Sequence, residues 1–133
     1  MPSLPELAWF LRAVATAIRV EALLRMRDLP RVCRALGVAP PGPSPNPLPT
    51  VPTLTPQLRA RAEQAVGRAY RKLPLPDSCL RRALTLGSLL REYHPTLCVG
   101  VRRRAEDLDA HAWLVVGGQE FKPQDLNYAV LRS

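Results

Sequence analysis

Aromatic residues, acidic charge and histidine are all scarce in this chain, and each shortage narrows what it can be. With aromatics at 5% and a hydrophobic fraction of 47%, a core has to be packed from Leu, Val and Ala, and there is enough apolar matter to exclude disorder throughout. Eleven Asp and Glu against nineteen Lys and Arg leave a formal charge of +8 and a pI near 10.4. Such a surface attracts anions, whether nucleic acid, a membrane face or an acidic peptide, and charge alone does not choose among them. The three cysteines, at 33, 79 and 98, form no Cys-x-x-Cys pair for zinc or redox work, and their odd number leaves at least one unpaired. A reducing cytoplasm is the expected location, and no metal or cofactor is expected. No uncharged apolar run is long enough for a spanning helix or a signal peptide, because Glu6, Arg12, Arg19 and Glu21 interrupt Leu4 to Leu24.

At 133 residues the chain has single-domain size, but its composition divides it into a helical prefix (1–38), a proline-rich linker (39–56) and a main domain (57–133). In the prefix, Leu7, Phe10, Leu11, Val14, Ala17, Ile18 and Leu24 recur at helical spacing from Pro5 to about Met26, with Arg12, Arg19 and Arg25 on the other face. Asp28 caps a second helix that accepts Pro30 in its first turn and stops at Gly37. Cys33 on its apolar face reads as core. Residues 31–38 resemble half of a helix-turn-helix, but Ala39-Pro40-Pro41-Gly42-Pro43 stands where a recognition helix would start, so DNA reading is discounted. Eight of the fifteen prolines fall in 39–56, a stretch expected to build neither helix nor ladder.

Thr55-Pro56 then starts a helix running through Leu58, Ala62, Ala65, Val66 and Ala69 to about Leu73, where Pro74 and Pro76 stop it. Asp77 or Ser78 caps the next helix, from Cys79 to near Glu92. Its leucines lie all round, as in a helix covered on several sides. Beyond Pro95 the period changes to two. Thr96 to Val101 reads as a strand, Arg102 to Asp109 as a polar loop with a basic run, and Ala110 to Val116 as a second strand. Gly117-Gly118 makes the turn into Gln119 to Lys122. A central helix followed by an antiparallel meander is an α+β order.

The chemistry lies in Cys79 and His111. A thiol in the first turn of a helix feels the partial positive charge of exposed N–H groups, which favours thiolate, and those amides can hold an oxyanion. Of the two histidines, His94 precedes Pro95 in an exposed turn, whereas His111 starts an apolar strand beside Trp113 and is the candidate base. The base needs an acceptor for its second ring nitrogen. Counting out from a Gly117-Gly118 turn, Val116 pairs with Gln119 and His111 faces Gln124. Asp125 lies one place on and reaches the imidazole if a bulge or the break at Pro123 turns it inward. Glu120 pairs with Val115, roughly 13 Å along the strand from His111. The ranking is Asp125, then Gln124, then Glu120.

Leu73-Pro74, Cys79-Leu80-Arg81-Arg82-Ala83-Leu84, Thr96-Leu97-Cys98-Val99-Gly100-Val101-Arg102 and Ala110-His111-Ala112-Trp113-Leu114-Val115-Val116-Gly117-Gly118 resemble the transglutaminase-like core of bacterial lasso-peptide leader peptidases, the microcin-processing maturation proteases. The histidine follows the cysteine by 32 residues, in agreement with that family, and the likeness covers about 57–122. The resemblance implies a papain- or transglutaminase-like core, with a central helix bearing Cys79 and an antiparallel sheet bearing His111, behind an N-terminal helical prefix. It also implies a Cys79-His111-Asp125 triad that removes the leader from a ribosomally made precursor peptide. The implied partners are that precursor's leader, a separate small leader-recognition protein and an ATP-dependent macrolactam cyclase, with no membrane involved. Pro123 stands near the family's expected acid, a departure that leaves the orienting residue open. Two other readings remain: a transglutaminase-like acyl transferase, because a thioester can be intercepted by an amine, and a catalytically silent basic helical module that binds nucleic acid or scaffolds a partner. The hairpin count predicts that Asp125→Ala lowers turnover strongly while Glu120→Ala does little; steady-state rates in the reverse order would overturn it.

Overall fold

The computed structural model describes residues 4–41, 54–104, 107–116, 119–121 and 129–130. Four helices precede the strands: α1 (Leu4–Met26), α2 (Leu29–Leu36), α3 (Pro56–Lys72) and α4 (Cys79–Leu89), then β1 (Thr96–Arg104), β2 (Asp107–Val116), β3 (Gln119–Phe121) and β4 (Ala129–Val130). The strands form one sheet in the order β3-β2-β1-β4, with every pair antiparallel. This is the α+β architecture expected from the order of the elements.

Local chemistry explains most helix ends. Asp28 precedes α2 in an extended conformation but its carboxylate makes no capping bond, lying 3.7 Å from Arg31 Nε instead; Pro30 stands in the first turn, and Gly37 closes the helix at φ 79, its amide turned back to Arg34 O. Val38 N then bonds Cys33 O at 2.9 Å, a glycine stop of the Schellman kind. Thr55 Oγ1 accepts the Leu58 amide at 3.2 Å with Pro56 as the first helical residue of α3. α4 ends at Leu89, earlier than its leucine spacing suggested. A 3-10 turn over Arg91–Tyr93 and a left-handed His94 (φ 52) follow it, turning the chain into buried Pro95.

α4 is the central helix. It packs on β1 and β2 and on α1, α2 and α3, and every residue from Ala83 to Leu90 is buried. α1 crosses α3 and α4 and buries Ala13, Ala17, Val20 and Glu21. That corrects the phase expected for α1: Leu7, Leu11 and Ile18 point to solvent, while Phe10, Val14 and Leu24 pack at the margin. A helix with apolar residues all round has no unique face by periodicity. Close approach to α3 and α4 selects the row with the smallest side chains.

The strands also outrun their apolar patterns. β1 continues through Arg102–Arg104 and β2 begins at Asp107, where a polar loop was expected. The register pairs Arg102 with Asp109 and Arg104 with Asp107, so the ladder extends through positions that are basic on one strand and acidic on the other, which hydrophobic periodicity does not register. β3 pairs Val116 with Gln119 and Val115 with Glu120, the register counted from the sequence; the Gly117-Gly118 turn and Lys122 lie outside the described residues. Two further pairings had no sequence signal. β4 pairs with β1 at Gly100 and Val101, and Ala39, at the edge of the proline-rich stretch, bridges Thr96 in parallel. Ala39 N bonds Pro95 O at 2.8 Å and Leu97 N bonds Ala39 O at 2.9 Å. Residues 42–53 of that stretch lie outside the described set.

α4 lies close to its neighbours at Gly87, where a Cβ would stand 2.6 Å from Val38 Cγ2 and 3.2 Å from Leu114 Cδ2. Alanine in a helix gains up to about 1 kcal/mol over glycine, but overpacking a core costs about 1–3 kcal/mol. Gly87→Ala is therefore expected to lower stability by about 1–2 kcal/mol in urea unfolding; an unchanged or raised midpoint would contradict this packing.

Candidate active site

Cys79 is the first helical residue of α4 because the chain before it cannot be helical and Ser78 can end that extended run. Leu73 leaves α3 in an extended conformation (φ −89, ψ 143), Pro74 and Pro76 follow, and Ser78 is itself extended (φ −153, ψ 160). Ser78 Oγ accepts the Arg81 amide at 3.2 Å. The amides of Cys79 and Leu80 have no acceptor within the helix, as in any first turn. The helix therefore brings a thiol and donor groups to one place.

Side chains from three directions fix this helix start. Arg82 folds back onto Asp77 with two parallel bonds, Nε to Oδ1 at 2.7 Å and Nη2 to Oδ2 at 2.8 Å, the paired geometry a guanidinium offers a carboxylate. That hydrogen bond holds the Asp77 carboxyl below its ordinary value. Arg81 turns the other way, giving Nε to Glu21 Oε2 of α1 at 2.7 Å and Nη1 to Ser78 Oγ at 3.3 Å. Glu21 also accepts Arg25 Nε at 3.2 Å. Its side chain is only 9% exposed, and the Arg81 hydrogen bond, opposed by burial and helped by Arg25, lowers its carboxyl below the ordinary value of 4.5. From α3, the Tyr70 hydroxyl lies 2.8 Å from Thr85 Oγ1 and donates to the Arg81 carbonyl at 3.2 Å. Burial, the largest influence, raises the Tyr70 hydroxyl above its usual range.

The sheet meets this helix start through β2. His111, half-buried, pairs with Gly100 of β1. The next amide, Ala112 N–H, donates to Cys79 Sγ at 3.3 Å. Cys79 and His111 line one cleft of about 500 Å³, walled by Glu63, Val66 and Gly67 of α3, by Asp77, Ser78, Arg82 and Leu86, and by Phe121 of β3. The charged groups in its wall are already paired, Asp77 with Arg82 and Glu63 with Arg59 at 3.0 Å. The remaining surface is mostly aliphatic and aromatic. A thiol, an imidazole-bearing strand and first-turn amides at one cleft are the parts that acyl transfer through a thioester requires.

The other residues singled out in the sequence fall as follows. Asp125 and Gln124 lie outside the described residues. Glu120 pairs with Val115, four positions along β2 from His111. His94 is exposed and does not line the cleft. Cys33 is fully buried, and burial pushes its thiol up to about 11, which suits a core residue. Cys98 sits half-buried in β1, paired with Trp113. Asp77, Arg82, Glu21 and Arg81 were not picked out as a framework. Asp77 carried a sequence signal only as a possible cap, and the pairing of Glu21 with Arg81 carried none. Among the described residues no group of three or more His, Cys, Asp or Glu is placed to hold a metal ion, and no helix is long and apolar enough to cross a membrane.

A protein-family comparison matches residues 11–133 to the transglutaminase-like superfamily. With nearly the whole chain covered, and with a central helix opening on a cysteine against an antiparallel sheet, the chain belongs to the transglutaminase-like superfamily. Its members are typically cysteine-dependent enzymes and include peptidases and acyl transferases. Comparisons with curated proteins and with solved structures gave no match.

The Glu21–Arg81 pair generates a pH dependence. A carboxyl titrating lower in the folded than in the unfolded chain adds stability that is complete above the unfolded value and is lost as pH falls through the folded one. Glu21→Gln should therefore be less stable than wild type near pH 7, with the gap narrowing as pH falls below the ordinary value of 4.5 in urea unfolding. A gap of the same size above and below that value would show that the ion pair contributes nothing.

Proposed function

We propose that the protein is a cysteine peptidase that removes the leader from a ribosomally made lasso-peptide precursor. The observation that carries this reading is the shared cleft of Cys79 and His111, with Sγ accepting the backbone amide of Ala112, the residue that follows His111 on β2. The motif resemblance around both residues supplies the substrate class. Cys79 is the nucleophile and His111 the base, with Asp125 the leading candidate to orient the imidazole.

In this mechanism His111 takes the thiol proton and Sγ attacks the scissile carbonyl carbon. The oxyanion is stabilised at the start of α4 by the Cys79 and Leu80 amides, where the helix dipole is also favourable. His111 then gives its proton to the departing amine, leaving the leader as a thioester on Cys79 and freeing the core peptide's N-terminus. Water activated by His111 hydrolyses the thioester. A separate small leader-recognition protein delivers the precursor, and an ATP-dependent macrolactam cyclase uses the freed amine, all in the cytoplasm.

Cys79→Ala is expected to lower leader cleavage by roughly a thousandfold or more, measured by mass spectrometry of precursor incubated with the partner proteins, while partner binding stays intact. Full cleavage by that variant would end the proposal. A leader product carrying an added amine in place of a free carboxylate would move the assignment to acyl transfer.

A further inference from the structure

α1 buries one face and leaves another bare. All five large apolar side chains that stand exposed among the described residues belong to this helix: Leu4 (82%), Leu7 (41%), Leu11 (56%), Ile18 (52%) and Met26 (72%). Leu4, Leu11 and Ile18 recur every seven residues, and exposed Ala8, Ala15 and Ala22 fall between them at steps of four and three. Large and small side chains alternating with a mean period of 3.5 make a helix-pairing seam, in which alanine lets the backbones approach and the larger residues fill the holes.

Cations border this seam on both sides. Arg12 and Arg19 follow Leu11 and Ile18 on one flank and are exposed, Arg12 lying over the Trp9 ring and Arg19 donating to Ala35 O at 3.1 Å. Beyond Leu7 on the other flank runs a groove of about 130 Å³ lined by Phe10, Arg68, Lys72 and one carboxylate, Glu6. The other acid of α1, Glu21, is committed to Arg81 and Arg25.

We propose that this face of α1 docks an amphipathic helix from another protein, apolar along the contacting stripe and flanked by Asp or Glu. The inference does not depend on the leader-peptidase reading. A second copy of the chain suits the face poorly. Antiparallel pairing centred between Val14 and Ala15 sets Leu11 against Ile18 but puts Arg12 of one copy opposite Ala17, two positions from Arg19, of the other, and like charges so close on one flank oppose association. A lipid surface suits it poorly too, since membrane-bound helices present a broad apolar face and here every second member of a single row is alanine. No residue of α1 lines the Cys79 cleft, so an occupant of this face leaves the cleft open.

The test uses the full chain and two labelled synthetic helices of about four heptads. Both carry alternating Leu and Ala on the seam, one with Glu and the other with Lys on the flanks. Fluorescence anisotropy is expected to show the Glu helix binding about tenfold or more tighter than the Lys helix, with the preference shrinking as salt is added. Leu11→Gln combined with Ile18→Gln is expected to weaken the Glu helix about tenfold or more, with the melting temperature and the rate of Cys79 alkylation by iodoacetamide unchanged. Failure of the Glu helix to bind, equal binding of both helices, or indifference to the double variant would overturn the proposal. So would a dimer in sedimentation equilibrium, or binding to phosphatidylglycerol vesicles, that the double variant abolishes. These two results assign the face to a second copy and to lipid respectively.

Discussion

The structure depends on the seating of β2 across the first turn of α4, where the Ala112 amide meets Cys79 Sγ. This contact, beside the apolar packing of α4 on β1 and β2, joins the helical and sheet layers at the point where the chemistry is proposed to occur. It is possible because α4 is buried on several sides and cannot shift, and because β2 is an inner strand held by β1 and β3. A thiol at a helix end is common enough; one fixed against an inner strand carrying an imidazole, at the floor of a cleft, is a much narrower arrangement.

The helix start is held by charge as well as by packing. Two neighbouring arginines do opposite things: Arg82 closes locally on Asp77, and Arg81 reaches α1 through Glu21. The first defines the rim of the cleft. The second ties the N-terminal helix to the helix that opens on Cys79 across sixty residues of chain. Thus α1 belongs to the same core as α4, and one of its faces takes part in positioning the cleft while the opposite face is left for contacts outside the chain. The excess of arginine is in part structural, since Arg25, Arg59, Arg81 and Arg82 all sit on carboxylates.

Much of this was legible in residue types. Pro30 and Gly37 bounded α2, Thr55-Pro56 opened α3, and the prolines before Ser78 fixed Cys79 at a helix start, because caps and breakers act over a few residues and leave local signatures, whereas the Asp28 side chain makes no capping bond and faces Arg31 instead. The hairpin register from Val116 to Gln119 followed for the same reason. What was not legible depended on distant neighbours. Which face of α1 is buried is decided by how closely α3 and α4 approach. Glu21 finds Arg81 only through the tertiary fold, β4 pairs with β1 from about thirty residues further along the chain, and the strands through Arg102–Arg104 and Asp107–Asp109 are extended by pairing rather than by hydrophobic alternation. Asp125, the residue proposed to orient the imidazole, lies outside the described residues.

The central claim, that Cys79 carries the acyl group between bond cleavage and release, is tested most directly by trapping that state. Protein quenched with acid during turnover of a precursor peptide, digested and analysed by mass spectrometry, should show the leader acyl group on the fragment containing Cys79, in a bond that hydroxylamine cleaves as it does a thioester. Turnover proceeding with the acyl group on any other residue would contradict the account.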